Sequence, residues 1–237
     1  MTFKEIDKFY KKDTITVAKE LLGKILISKS ENEIFAGYIV ETEAYLGEFD
    51  RAAHGYGKKR TPKVEALFEK AGTVYIHSIH SHKMLNIVTC EKENPQSVLI
   101  RAIEPILNIE RMEENRGKSG ILVSNGPGKF TKVFGIDDRF YKTEIQIVEE
   151  NMFEIENFSE KIENKNFKIK YDISKIDEKY LYLDFENAKI PKKIGISARI
   201  GVPNKGVWTE KKLRFFVEGN RFVSGMRKAD MKDDVWE

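Results

Sequence analysis

The chain has one cysteine, Cys90, and only four histidines among 237 residues. A lone thiol cannot close an internal disulfide or hold a multi-cysteine zinc or iron-sulfur centre, which suits a reducing cytosol and leaves any metal chemistry to histidines. No apolar run approaches the roughly 20 residues a bilayer-spanning helix needs, and the opening stretch MTFKEIDKFYKK has no signal-peptide core. A cytoplasmic protein with no membrane partner is expected. Neither charge sign dominates: 41 basic against 38 acidic residues leave a formal net charge of +3, too little to imply a nucleic-acid partner unless the basic residues cluster. They do cluster, at Arg51, Lys58, Lys59, Arg60 and Lys63, while acidic residues gather between Glu149 and Glu186. Internal repeats are absent, and 41% hydrophobic content supports one sizeable core and a single domain over residues 1–237.

The segment YIVETEAYLGEFDRAAH, residues 38–54, says most about function. From Tyr38 to Tyr45 the residues are mostly β-branched, aromatic or small, so the segment reads as a strand with alternating faces. Glu41, Glu43 and Tyr45 then share one face, and Val40, Thr42 and Ala44 share the other, which suits packing. An acidic face of this kind needs water, a cation or a substrate. Gly47 ends the strand.

Other elements follow from caps, turns and periodicity. Asp13 or Thr14 caps a helix through Val17 to Leu22, stopped by Gly23. ILISK and residues 34–45 flank the turn SENE as an antiparallel hairpin. Thr61 and Pro62 start a helix with Val64, Leu67 and Phe68 on its apolar face. Strands are expected over 73–79, 84–90 and 97–103, the first two around HSHK, then a helix over 106–115 and another from Ser124 or Asn125 with Pro127 to about Gly135. Residues 149–193, rich in Lys, Glu, Asn and Ile, read as a surface excursion of weak strands. Strand character returns at 194–202 and 213–223.

Six blocks carry a resemblance. VETEAYLG, AAH, RTP, GTVY, LIRAIEP and NGPGKFTKVFGI occur in order from Val40 to Ile136, and ARIGV with WTEKKLRFFVEGNRFVSG extends them to about Gly225. In this the chain resembles the alkyladenine (3-methyladenine or methylpurine) DNA glycosylases over most of its length. The resemblance implies a mixed α/β (α+β) fold with a curved, largely antiparallel sheet flanked by helices. It also implies a monofunctional, monomeric enzyme of base excision repair that needs no metal or organic cofactor. Its partner would be double-stranded DNA containing 3-methyladenine, 7-methylguanine or hypoxanthine.

Removing a base from deoxyribose passes through a sugar cation and needs a water delivered to the anomeric carbon; a carboxylate serves both demands. Glu43 matches the family's catalytic carboxylate, against the plainer reading of a solvated strand glutamate. Arg101, ending the apolar run Val98 to Ile100, must be paired or face a cleft. The resemblance sets it beside Glu43; otherwise Glu104 or Glu41 is its ion-pair partner. Work on a base in duplex DNA requires flipping it out of the stack, so flat side chains must receive it. Tyr45, His54 and His77 are the candidates by resemblance, with Asn86 excluding normal guanine at the base edge. Each also has a plain structural reading.

The chain departs from the family between Thr73 and Asn86. His77 and His80 stand where two tyrosines are usual, one lining the pocket and one wedging into the minor groove, and the hairpin is one residue shorter. A smaller ring that can also carry charge predicts a weaker flipping equilibrium, or a wedge shared with Met84. Arg51, Arg60, Thr61 and Lys129 are the expected phosphate contacts. Two other classes compete: an inactive member that binds distorted DNA, and a metal protein using His77, His80 and His82 with Glu43 or Glu41.

Overall fold

The computed structural model describes residues 3–152 and 171–237. Among these residues the frame is a nine-stranded, mostly antiparallel sheet built around one long strand, β2 (Glu33–Tyr45). With β1 (Ile25–Ser30) it forms the expected hairpin, turned by Glu31 and Asn32, both at positive φ. Paired left-handed residues match the right-handed twist of the strands they join. On the other edge β2 pairs with β5 (Gln96–Leu107), and β5 with β4 (His82–Thr89) and β4 with β3 (Val74–Ile79) complete the meander. The turn between β3 and β4 is only His80 and Ser81, again both at positive φ.

Beyond β1 lie β6 (Gln146–Ile147) and β7 (Tyr182–Asp184), paired in parallel. The second half of β2 instead takes β9 (Arg214–Val217), which in turn pairs with β8 (Ile194–Ser197). Residues 41–43 of β2 are therefore hydrogen-bonded on both edges. The mixed, mostly antiparallel fold agrees with expectation.

Helices cover the sheet. α1 (Phe3–Tyr10) leads into α2 (Thr14–Glu20), whose cap is Asp13, with its carboxylate accepting the Thr16 N–H. Thr42 donates its hydroxyl to the Ala18 carbonyl at 2.7 Å, seating α2 on the Val40, Thr42 and Ala44 side of β2. Gly23 (φ +82) ends that helix, as its sequence position implied. α3 (Ile109–Arg116) and α4 (Pro127–Val133) pack nearby, and α5 (Val207–Glu210) is a single turn. Thr131 of α4 donates to the Lys83 carbonyl, and Gly128 lies so close to His82 that a Cβ there would stand 2.6 Å from it.

Three expectations need correcting. The helix after Thr61 is only a 3₁₀ turn, Glu65–Phe68, although Leu67 and Phe68 are buried as the pattern required. Helix 106–115 begins later, because β5 runs through Pro105, which sits opposite Gly37. The segment 149–193 is not peripheral where it is described: Tyr171, Leu181 and Leu183 are core residues, and β7 adds a strand beside β1. Residues 153–170 of that segment lie outside the described residues. Charge spacing in this stretch hid a short, fully buried strand.

Candidate active site

Two register shifts shape the site. β2 meets β5 with Glu41 opposite Ala102 but Thr42 opposite Ile100, so Arg101 is an extra residue in the ladder. A bulge re-aims its side chain, and Arg101 turns onto the face that carries Glu41 and Glu43. Its Nε donates to Glu41 Oε1 at 2.8 Å, and its Nη1 lies 3.2 Å from Glu43 Oε1. The alternative partner, Glu104, instead accepts from Asn220 and Trp236. Arg101 thus lies beside Glu43 and is the ion-pair partner of Glu41.

The two glutamates occupy different environments. Glu41 has no exposed surface and accepts four hydrogen bonds: from Arg101 Nε, from Arg214 Nε at 2.6 Å, and from the Ser224 hydroxyl and amide, each at 2.7 Å. Burial opposes its ionisation, yet the two guanidiniums and the Ser224 N–H outweigh that and hold its carboxyl below its ordinary value. Glu43 is also 0% exposed. It accepts the Ile200 N–H at 2.8 Å and the Tyr45 hydroxyl at 2.9 Å. Here burial prevails over Arg101, Ile200 and Tyr45, and the carboxyl is pushed up. One strand face thus holds a carboxyl with lowered proton affinity and one with raised proton affinity, a division that separates a structural from a chemical environment. The solvated-glutamate reading is excluded for both; the cation their face required is internal.

Tyr45 links Glu43 to a cavity. That cavity, about 140 Å³, is walled by Tyr45, His54, Tyr75, His77 and Asn86, with Lys205 at its edge. Drug-sized ligands fill roughly 300–1,000 Å³, so this one suits a single flat ring system. Glu43 is not on its wall but directly behind Tyr45. A larger, more open cleft of about 520 Å³ lies beside Arg214 and Ser224, on the structural side of Glu41.

The cavity's rings are held by one another. Tyr75 stacks on His77 with centroids 5.4 Å apart and interplanar angle 24°, and its hydroxyl lies 2.6 Å from His54 Nδ1. Asn86 sits opposite Tyr75 in the β3–β4 ladder, its amide 3.3 Å from His77 Nδ1. Burial, helped by neighbouring His54, lowers the His77 pKa to about 4, and burial with the charge of Lys205 also lowers that of His54. Both imidazoles are neutral at physiological pH, which removes the charge that histidine in place of tyrosine could have brought. On its far side Tyr45 is covered by the Arg199 guanidinium, 4.6 Å from its centroid. Arg199 is clamped bidentately by buried Asp50, at 2.5 and 2.9 Å, and also donates to the Ala44 carbonyl.

Tyr45, His54, His77 and Asn86 therefore meet at one cavity, with Glu43 and Arg101 behind it. The other expected contacts spread out. His80 is exposed on the hairpin turn, whereas Met84 is 8% exposed and paired with His77, so it does not project as a shared wedge would require. Arg60 is committed to Glu65 and Glu93 and lies over the Phe68 ring, a poor disposition for gripping phosphate. Lys129 donates to Asn125 at 2.7 Å, Arg51 is exposed beside Gly206, and Thr61 is half-buried. Among the described residues no three His, Cys, Asp or Glu side chains gather to hold a metal ion, and no helix is long and apolar enough to cross a membrane.

Sequence reasoning missed Tyr75, Asp50, Arg199, Arg214 and Lys205. Two signals were present. Tyr75 precedes His77 by two residues and so shares its strand face, and Arg199 and Arg214 interrupt apolar runs as Arg101 does.

A family model described as Methylpurine-DNA glycosylase (MPG) matches residues 8–221. A Staphylococcus saprophyticus protein named "Putative 3-methyladenine DNA glycosylase" is 47% identical over 224 residues, covering 94% of this chain and 95% of its own length. One of the same name from Staphylococcus aureus strain MRSA252 is 44% identical over 231 residues, covering 97% and 99%. The chain belongs to the methylpurine-DNA glycosylase family.

Proposed function

We propose that the chain is a monofunctional DNA glycosylase that receives a flipped, damaged purine in the Tyr45–His77 cavity and hydrolyses its N-glycosidic bond, leaving an abasic site. The observation that carries this reading is the hydrogen bond from Tyr45, a wall of the cavity, to the buried Glu43 carboxylate at 2.9 Å. It joins a slot for a planar base to a group able to act on water, in a chain of a family named for this activity.

The steps follow from the residues. A base enters against the Tyr45 ring, whose far face is fixed by Arg199. The neutral rings of His54, Tyr75 and His77 line the remaining wall, and Asn86 meets the base edge. Glu43 is sealed in the free protein, so the Tyr45 hydroxyl must leave its carboxylate when substrate docks, and a water takes its place. A carboxyl with raised proton affinity accepts a proton from that water better than an ordinary one. Its negative charge also favours the cationic sugar. Arg101 keeps Glu43 in place from the opposite side. No lysine occupies the motif position of a Schiff-base nucleophile, so water completes the reaction and strand nicking is not expected.

DNA is approached by the exposed face carrying His80, Arg51 and the cavity mouth, and His80 is the residue that fills the vacated stack. The protein acts as a monomer on duplexes containing 3-methyladenine, 7-methylguanine or hypoxanthine. Incubation with methylated duplex DNA should create sites cleaved by heat or alkali. Binding without such sites would favour the inactive, distortion-binding reading instead.

A further inference from the structure

The cavity carries an uncompensated positive charge. Lys205 lines it, and no aspartate or glutamate does among the described residues. The nearest acid on the strand behind, Glu43, is screened by Tyr45 and faces Arg101. The two histidines of the wall are neutral, and His54 is kept so in part by the charge of Lys205, which is therefore felt inside the cavity. The backbone at Lys205 is fixed: its N–H donates to the Thr209 hydroxyl at 2.9 Å, and its carbonyl accepts the Trp208 N–H. The side chain has no carboxylate partner among the described residues.

We propose that Lys205 sets the charge preference of the cavity, favouring a neutral damaged purine over one that already bears a positive charge. This rests on the glycosylase reading. When the N-glycosidic bond of a neutral purine breaks, the bonding pair departs on the base nitrogen and the base carries negative charge, which an adjacent ammonium offsets. A purine alkylated to a cation leaves as a neutral base. It gains nothing from Lys205 on leaving, and the like charge opposes its docking. Flat aromatic walls alone would favour the electron-poor cation; a lysine at their edge reverses the sign. Lys205 is thus a specificity-determining residue, separate from the Glu43 and Arg101 pair.

The test is single-turnover release of hypoxanthine and of 7-methylguanine from duplexes of one sequence, with wild type, Lys205→Met and Lys205→Arg. Lys205 is exposed, so neither variant disturbs the core. Lys205→Met should lower the ratio of hypoxanthine to 7-methylguanine release by about fivefold, the scale of one charge contact at about 4 Å through water, and Lys205→Arg should keep the wild-type ratio. An equal loss on both lesions, the pattern of a phosphate contact, or an unchanged ratio would overturn the assignment while leaving the glycosylase reading intact. A wild-type protein that releases neither base overturns both.

Discussion

Replacing Glu41 with glutamine should destabilise the fold far more than the same change at Glu43, although both carboxylates lie on one strand face and neither is exposed. Glu41 holds together Arg101, Arg214 and Ser224 through four hydrogen bonds of 2.6 to 2.8 Å. Glutamine removes the charge and leaves two nearly buried guanidiniums, Arg101 with Glu43 still beside it and Arg214 without the carboxylate it is paired to. Breaking a buried ion pair from one side costs about 3–5 kcal/mol. For a chain of this size that lowers Tm by roughly 6–20 °C, at about 2–4 °C per kcal/mol. Glu43 differs because burial already favours its neutral form, so Glu43→Gln should cost under about 2 kcal/mol. The pH dependence has a definite sign. Glu41, held below its unfolded value, contributes stability above that value and loses it as pH falls; Glu43, pushed up, favours the fold at low pH and loses its contribution as pH rises through its folded value. Urea unfolding of both variants from neutral to acid pH measures this directly, and Glu41→Gln should flatten the acid-side loss. Glu43→Gln proving the more damaging would refute the division of roles.

Activity should fall on the acid side with a midpoint above the ordinary carboxylate value of 4.5, and a pH-rate profile reaching its plateau at or below that value would contradict Glu43 as base. Tyr45→Phe deletes the hydroxyl that favours the ionised form of Glu43 in the free protein, so the acid limb of kcat/KM, which reports the free enzyme, should move to higher pH. Asp50→Asn unclamps the buried Arg199 beneath Tyr45 and should cost about 3 kcal/mol or more in urea unfolding. His80→Tyr enlarges the exposed ring at the hairpin turn and should tighten duplex binding and speed excision; unchanged values for both would move the wedge elsewhere.

Period-two alternation in VETEAY correctly put Glu41, Glu43 and Tyr45 on one face, and turn chemistry located both hairpins. What separated the two glutamates was not local. Arg214 and Ser224 lie more than 170 residues from Glu41, and the bulge that turns Arg101 toward both is a register property of two paired strands. Met84 looked available as a wedge because the hairpin was read with a four-residue tip. A two-residue turn draws Met84 back into the ladder, where it is covered. The burial that neutralises His77 is equally a product of packing. Residues 171–184 misled because their charges mask the buried strand Tyr182–Asp184.

The central claim is that Glu43, freed from the Tyr45 hydroxyl, primes the water that displaces the base. Single-turnover release of damaged purines by wild type and Glu43→Gln, on duplex at saturating protein, addresses it most directly. The account predicts that the variant binds duplex nearly as well while excising roughly 10²-fold or more slowly. A variant that binds and excises at the wild-type rate would contradict it.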